Sequence, residues 1–79
     1  MENFNIYAIR DTLSDRFGLP FFQVNDRCAL REFNKMFKDE ERNDYELYCI
    51  GSYIPTSENS PMKALDADVL IWNSTMTDK

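Results

Sequence analysis

The 79-residue chain contains no histidine, which removes the commonest general base and metal ligand from its chemistry. Its two cysteines, Cys28 and Cys49, do not make a zinc site by themselves. Glycine occurs only as Gly18 and Gly51, so neither a glycine-rich phosphate loop nor a dinucleotide fingerprint can be built. Uninterrupted apolar runs reach only four residues, as at Val69–Trp72, far short of the roughly 20 residues that cross a bilayer, and no membrane span is expected. The start MENFNIYAIRD lacks a basic segment followed by a long apolar run, so no signal peptide is expected either, and a reducing cytoplasm is the simplest compartment for the two thiols. Serines and carboxylates stand at no recognisable catalytic spacing. The expectation is a protein that is not an enzyme and needs no cofactor.

Two further candidates are weighed on the residues present. Asp39, Glu41 and Asn43 have the alternate spacing of a calcium loop, but Asp44 stands where glycine is required and Ile50 where a bidentate glutamate is required. The run Asp39–Asp44 therefore reads as a solvated linker. Cys28 stands beside Arg27 at the start of a helix, where a thiol can be activated, but a lone cysteine more commonly serves as a small apolar filler.

What is present is apolar material: 43% of residues are hydrophobic and 14% aromatic, enough to fold one domain and too much for a disordered chain. A chain of this size buries only about 60% of the surface its unfolded form exposes, so the core is small. One domain over 1–79 is expected, with its ordered part at about 4–72 and a polar tail at 73–79.

The clearest pattern is Val24–Lys38, an amphipathic helix. At about 100° per residue from Arg27, the side chains of Met36, Ala29, Phe33, Phe37 and Leu30 fall between about 180° and 300°, a continuous apolar stripe. Arg27, Lys38, Arg31, Arg42 and Lys35 fall between about 0° and 80°, with Arg42 included only if the helix reaches it. Asn25 suits the N-cap and Asp26 the positive end of the dipole, whereas the acids after Lys38 predict fraying between Lys38 and Arg42.

Phe4–Asp11 reads as a strand with apolar residues on both faces, hence central or covered on two sides. Thr12–Phe17 reads as a polar turn or a single helical turn, with Gly18 able to take a left-handed closing position. Pro20 makes Leu19–Phe22 an apolar connector, in which Phe21 and Phe22 are either plugs over the core or stacking platforms for unpaired bases. Tyr45–Ile54 reads as a second strand with Leu47, Cys49 and Tyr53 on one face, and Thr56–Ser60 as a turn. The third strand is strongest at Ala67, Val69 and Ile71, with Leu70 and Trp72 opposite. The expected fold is α+β: a three-stranded sheet with one amphipathic crossover helix in the order β-α-β-β, the crossover being right-handed if the first two strands are parallel neighbours. Such a sheet leaves an edge and a face open, and a homodimer or higher oligomer would complete it.

The net charge of −5 argues against coating nucleic acid by bulk electrostatics. The charge is unevenly placed, however. Residues 27–38 hold Arg27, Arg31, Lys35 and Lys38 against the single carboxylate of Glu32. Arg27, Arg31 and Lys35 repeat every four residues, about 6 Å along a helix axis and comparable with phosphate spacing on an extended single strand. A row of this kind is either a solvated face or a phosphate-binding one.

The segments Ile6-Tyr7-Ala8-Ile9-Arg10-Asp11, Phe17-Gly18-Leu19-Pro20-Phe21-Phe22, Asn25-Asp26 with Ala29, Arg31 and Phe33, and Leu47-Tyr48-Cys49-Ile50-Gly51-Ser52-Tyr53 jointly resemble the small nonstructural protein of gokushovirus-type microviruses. These are icosahedral phages with circular single-stranded DNA. The resemblance covers about residues 4–54 and does not extend into the tail. It implies a DNA-binding nonstructural protein in the bacterial host cytoplasm, with a part in the switch from duplex replication to single-stranded genome synthesis. It carries over no defined set of binding residues, and of the cation row only Arg31 falls in its recurring pattern. The expected partner is single-stranded DNA. The alternative is a protein–protein adaptor that engages a replication or host protein through a sheet edge or an acidic surface.

Overall fold

A computed structural model describes residues 3–55 and 61–76. The organising strand is β1 (Phe4–Asp11), whose isoleucine, tyrosine and phenylalanine residues suit a pleated surface. Along one edge it pairs antiparallel with two short strands, β2 (Arg16–Phe17) and β3 (Phe21–Gln23). Along the other it pairs antiparallel with β4 (Tyr45–Tyr53), which pairs in turn with β5 (Met62–Trp72). The helix α1 (Asp26–Met36) connects β3 to β4. The class is α+β with one helix, as expected, but the sheet has five strands rather than three and is antiparallel throughout.

The two additional strands come from the segment expected to be turn and connector. After the turn at residues 12–15, in which Asp15 takes a left-handed φ of 60°, the chain runs back along β1. Aspartate tolerates that conformation better than most side chains. Gly18 does not occupy the left-handed position expected of it. Its N–H donates to the Ile9 carbonyl at 2.9 Å and prolongs the ladder beyond β2. Pro20 has no N–H to give, so the returning strand breaks there and resumes at Phe21, which is tolerable because this is an edge of the sheet. Phe21 and Phe22 are therefore strand residues. Because β1 is hydrogen-bonded on both sides, its central position is confirmed, while the parallel pairing that a crossover would have required is not adopted.

A bulge in β4 decides which side chains face the helix. Ile6 lies opposite Gly51 and Tyr7 opposite Cys49, leaving Ile50 as an extra residue. Leu47 and Cys49 consequently join Tyr7 in the core, whereas Tyr53 is turned to the other face with Phe4 and Ile6, contrary to its expected side. Gly51 is required at this point, since a Cβ there would lie 2.6 Å from the Lys63 carbonyl oxygen on β5. The pairing of β5 is interrupted twice. Trp72 lies opposite Leu47 and Leu70 opposite Tyr48, so Ile71 is an extra residue and Leu70 and Trp72 do not share a face as expected. Farther along, Val69 pairs with Cys49 and Ala64 with Gly51, which takes four residues of β5 out of register with β4. The outer edge of β5 carries Lys63, Asp66 and Asp68, charges that discourage pairing with another strand.

The core lies between the sheet and α1 and consists of Tyr7, Ala29, Phe33, Leu47, Cys49 and Trp72. Phe33, at the centre of the expected apolar stripe, is fully buried, with the rings of Phe37 and Trp72 each 5.4 Å away. Burial also pushes the Cys49 thiol up from its ordinary pKa, so it is the less reactive kind of cysteine. The start of α1 is fixed by two bonds. The Asn25 side chain accepts from the Cys28 N–H at 2.9 Å, as the N-cap chemistry predicts, and the Tyr7 hydroxyl donates to Asp26 at 2.6 Å. The helix stops at Met36, before the expected fraying zone: Phe37 is extended and its ring stacks on Tyr45 at 4.0 Å. The segment expected to be a turn, Thr56–Ser60, lies outside the described residues, as does 77–79 of the expected tail, of which Ser74–Met76 forms a 3-10 turn.

Candidate nucleic-acid interface

Because Ala29 and Phe33 face the sheet, the opposite side of α1 is presented outward, and Arg27, Arg31 and Lys35 lie on it, all exposed. They share a shallow groove of about 400 Å³ with Leu30 and Asn34. A second depression, of about 340 Å³, lies beside it against Asn25, Arg27, Cys28 and Arg31. Lys35 has a carboxylate neighbour in Glu32, at 3.6 Å, an exposed pair of the kind that contributes little. Arg27 and Arg31 make no ion pair among the described residues.

The other two expected cations do not extend this row. Lys38 stands beyond the end of α1, with its backbone N–H donating to the Glu41 carboxylate at 3.2 Å and its side chain exposed. Arg42 is in the 3-10 turn Glu41–Asp44, where its guanidinium lies over the Trp72 ring, 4.8 Å from the centroid, and donates to the Asn34 side chain at 2.7 Å. It covers the core rather than offering a free charge. The row expected to hold five cations thus holds three, because the helix is two residues shorter at its C-terminal end than the pattern Val24–Lys38 suggests.

The two phenylalanines singled out as stacking platforms are split by the strand they belong to. Phe21 pairs with Tyr7 and points with it toward the helix, where their rings are 5.9 Å apart. Phe22 pairs with Ile6 on the opposite face and is 45% exposed. Alternation of side chains in β1 and β4 places three more aromatic rings on that open face, all unforeseen as site residues. Tyr53 lies 5.5 Å from Phe22 and 6.3 Å from Phe4, and Tyr48 lies 5.5 Å from Phe17 of β2. The pattern of Phe4, Ile6 and Ala8 on one side of β1 was visible in the sequence, but the bulge that brings Tyr53 to them was not.

The two ends of this open face differ in charge. Near Phe17 and Tyr48, Arg10 is held by Asp15 and, at 2.9 Å, by Glu46, and the Tyr48 hydroxyl donates to Glu46 at 3.0 Å. Both burial and that carboxylate raise the Tyr48 pKa from its ordinary value. At the other end stand Phe4, Phe22 and Tyr53, while Lys63, paired with Ser52 and so directed to the helix side of the sheet, and Arg27, on the outward side of α1, lie off this face. A third feature, an apolar groove of about 440 Å³ among Ile9, Phe21, Met36 and Phe37, continues the core outward at the C-terminal end of α1, away from Arg27 and Arg31.

These elements define a small antiparallel α+β domain with an outward cation row on its helix and an uncovered aromatic sheet face. Residues 4–76 match the family model of the Phage ORF5 protein, and the chain belongs to that family. It is thus a phage protein, and none of its described helices is long and apolar enough to cross a membrane. No curated protein and no solved structure matches it.

Proposed function

We propose that the chain is a non-enzymatic phage protein that binds single-stranded DNA through phosphate contacts from α1, in the cytoplasm of a bacterial host. In a microvirus this would serve the switch from duplex replication to single-stranded genome synthesis. The observation that carries the reading is the row Arg27, Arg31 and Lys35: three exposed cations on successive turns of one helix, on the side opposite Ala29 and Phe33, two of them without an ion pair among the described residues. One helical turn rises about 5.4 Å, so each cation meets a successive phosphate of an extended strand with little adjustment. The helix that carries the row is anchored at its start by the Tyr7–Asp26 and Asn25–Cys28 hydrogen bonds. Membership of a phage family supports this reading, as does the resemblance to single-stranded DNA phages.

Replacing Arg27, Arg31 and Lys35 together by glutamine tests it. The variant is expected to unfold at an unchanged denaturant concentration, since the three side chains are exposed, and to lose both its affinity for a single strand and the salt dependence of that affinity. Unchanged binding by the folded variant would remove the helix as the DNA site. Binding to a protein partner through a sheet edge would instead show weak salt dependence and would not respond to these substitutions.

A further inference from the structure

The main core lies on the helix side of the sheet, and on the open side the rings cover only the small buried pair Ile6 and Ala8. Phe4, Phe22 and Tyr53 nonetheless converge there, with Phe22 and Tyr53 at an interplanar angle of 83° and Phe4 and Tyr53 at 48°. Among the described residues they alone line a depression of about 340 Å³, and Phe22 remains 45% exposed. Tilted rings around an open apolar depression offer a flat ligand both a face and an edge to pack against.

The charges around the sheet select among possible occupants. The end that holds Phe17 and Tyr48 is also where Asp11, Asp15, Asp44 and Glu46 lie, and its Arg10 is already neutralised. The end that holds Phe4, Phe22 and Tyr53 has no carboxylate among the paired residues described, and from it β3 leads to Arg27, on the outward side of α1 beyond the sheet edge. Phe22 is followed by Gln23, the last residue of β3, and the helix begins three residues later. Among the described residues β3 pairs with β1 alone, so its outer edge is open between the aromatic depression and the cation row. We propose that Phe4, Phe22 and Tyr53 form a stacking site for an unpaired nucleobase, on a strand that passes round the β3 edge to lay its phosphates along Arg27, Arg31 and Lys35. The proposal rests on the single-strand reading above and adds to it a recognition of bases. A second copy of the chain is the less suitable occupant, because face-to-face packing of two sheets would also bury the Arg10–Glu46 pair and remove its charges from water.

The test uses the full chain with two probes: a thymidine oligonucleotide and a sugar–phosphate chain of equal length without bases. The wild type is expected to prefer the thymidine strand by roughly 5- to 100-fold, the range that stacking of one base on aromatic rings supplies, with similar salt dependence for both probes. Phe22→Ala and Tyr53→Ala should lose that preference and keep the salt dependence, while Phe22→Trp keeps it and reports stacking by fluorescence quenching. Phe22→Leu, which retains bulk without a ring, should behave as Phe22→Ala and separates stacking from any loss of fold. Equal binding of the two probes by wild type, or a preference that survives in the folded variants, would overturn the base site while leaving the cation row standing. A base preference unchanged in Phe22→Ala, together with a dimer in sedimentation that the same substitution turns into monomer, would assign the face to a second copy. Failure of the wild type to bind either probe at any salt concentration would overturn the cation row and the base site together.

Discussion

The two faces of the sheet carry similar residues and have opposite fates. On the helix side Tyr7, Phe33 and Trp72 are buried, with the Tyr7 hydroxyl bonded to Asp26; on the open side Phe22 and Phe17 remain about half exposed. The difference is not one of composition, since phenylalanine and tyrosine occur on both. It follows from there being a single helix, which can cover one face only, so that aromatic residues on the other face stay available to a ligand.

The largest effect expected from this contrast is on stability. Phe33→Ala should cost about 3–5 kcal/mol, because a fully buried ring in contact with two others leaves a cavity. Phe22→Ala on the open face should cost less than about 1 kcal/mol. Denaturant titration of the two variants tests the contrast directly, and equal losses would mean that the open face is a second core.

Gly51→Ala should follow at about 1–3 kcal/mol, since the new methyl group would meet the Lys63 carbonyl and force β5 away from β4 at the bulge. The same titration reads it. A neutral result would show that β5 is not held closely there, and the placement of Tyr53 beside Phe4 would lose its support.

The smallest expected effect belongs to pH. Burial, followed by the hydrogen bond to the Asp26 carboxylate, pushes the Tyr7 pKa well above the usual phenol range, while the Asn5 side-chain amide, donating at 3.0 Å, opposes the shift. A folded-state pKa above the unfolded one means that the contribution is complete below about pH 10 and is lost as the pH rises through the folded value. Tyr48 and Cys49 are shifted in the same direction, so alkaline loss of stability is the sum of several groups. Tyr7→Phe should reduce the extra loss between pH 9 and pH 11 and leave a remainder. A variant that loses as much stability as the wild type over that interval would show that the Tyr7–Asp26 bond does not anchor the helix.

How much of this was legible in the sequence varies with the distance over which the cause acts. The helix, its Asn25 cap and its buried Phe33 follow from local periodicity and capping, and all three are present. The strands β1 and β4 follow from alternation and composition. β2 and β3 were hidden because Gly18 and Pro20 interrupt them, and their ladder is completed by β1 rather than by anything local. The end of α1 was misplaced because Phe37 gains more by stacking on Tyr45, eight residues away, than by continuing the helix. For the same reason Arg42 left the cation row for the Trp72 ring. Arg27, Arg31 and Lys35 stayed together because one helix holds them all. The aromatic face was illegible because it joins residues of four strands across a one-residue bulge that shifts register without any mark in the residue pattern except Gly51.

The most direct measurement is the affinity of the wild-type protein for labelled single-stranded and double-stranded DNA at 50 mM and 200 mM salt. Three phosphate contacts, at about 0.7 counterions each on a single strand, give a log–log slope of roughly −2 and a loss of roughly 20-fold over that interval. The expected result is that slope on the single strand, with weaker binding to the duplex, whose paired bases cannot reach Phe22 and Tyr53. Absence of salt-sensitive binding to either form would contradict a DNA-binding role for the α1 cations.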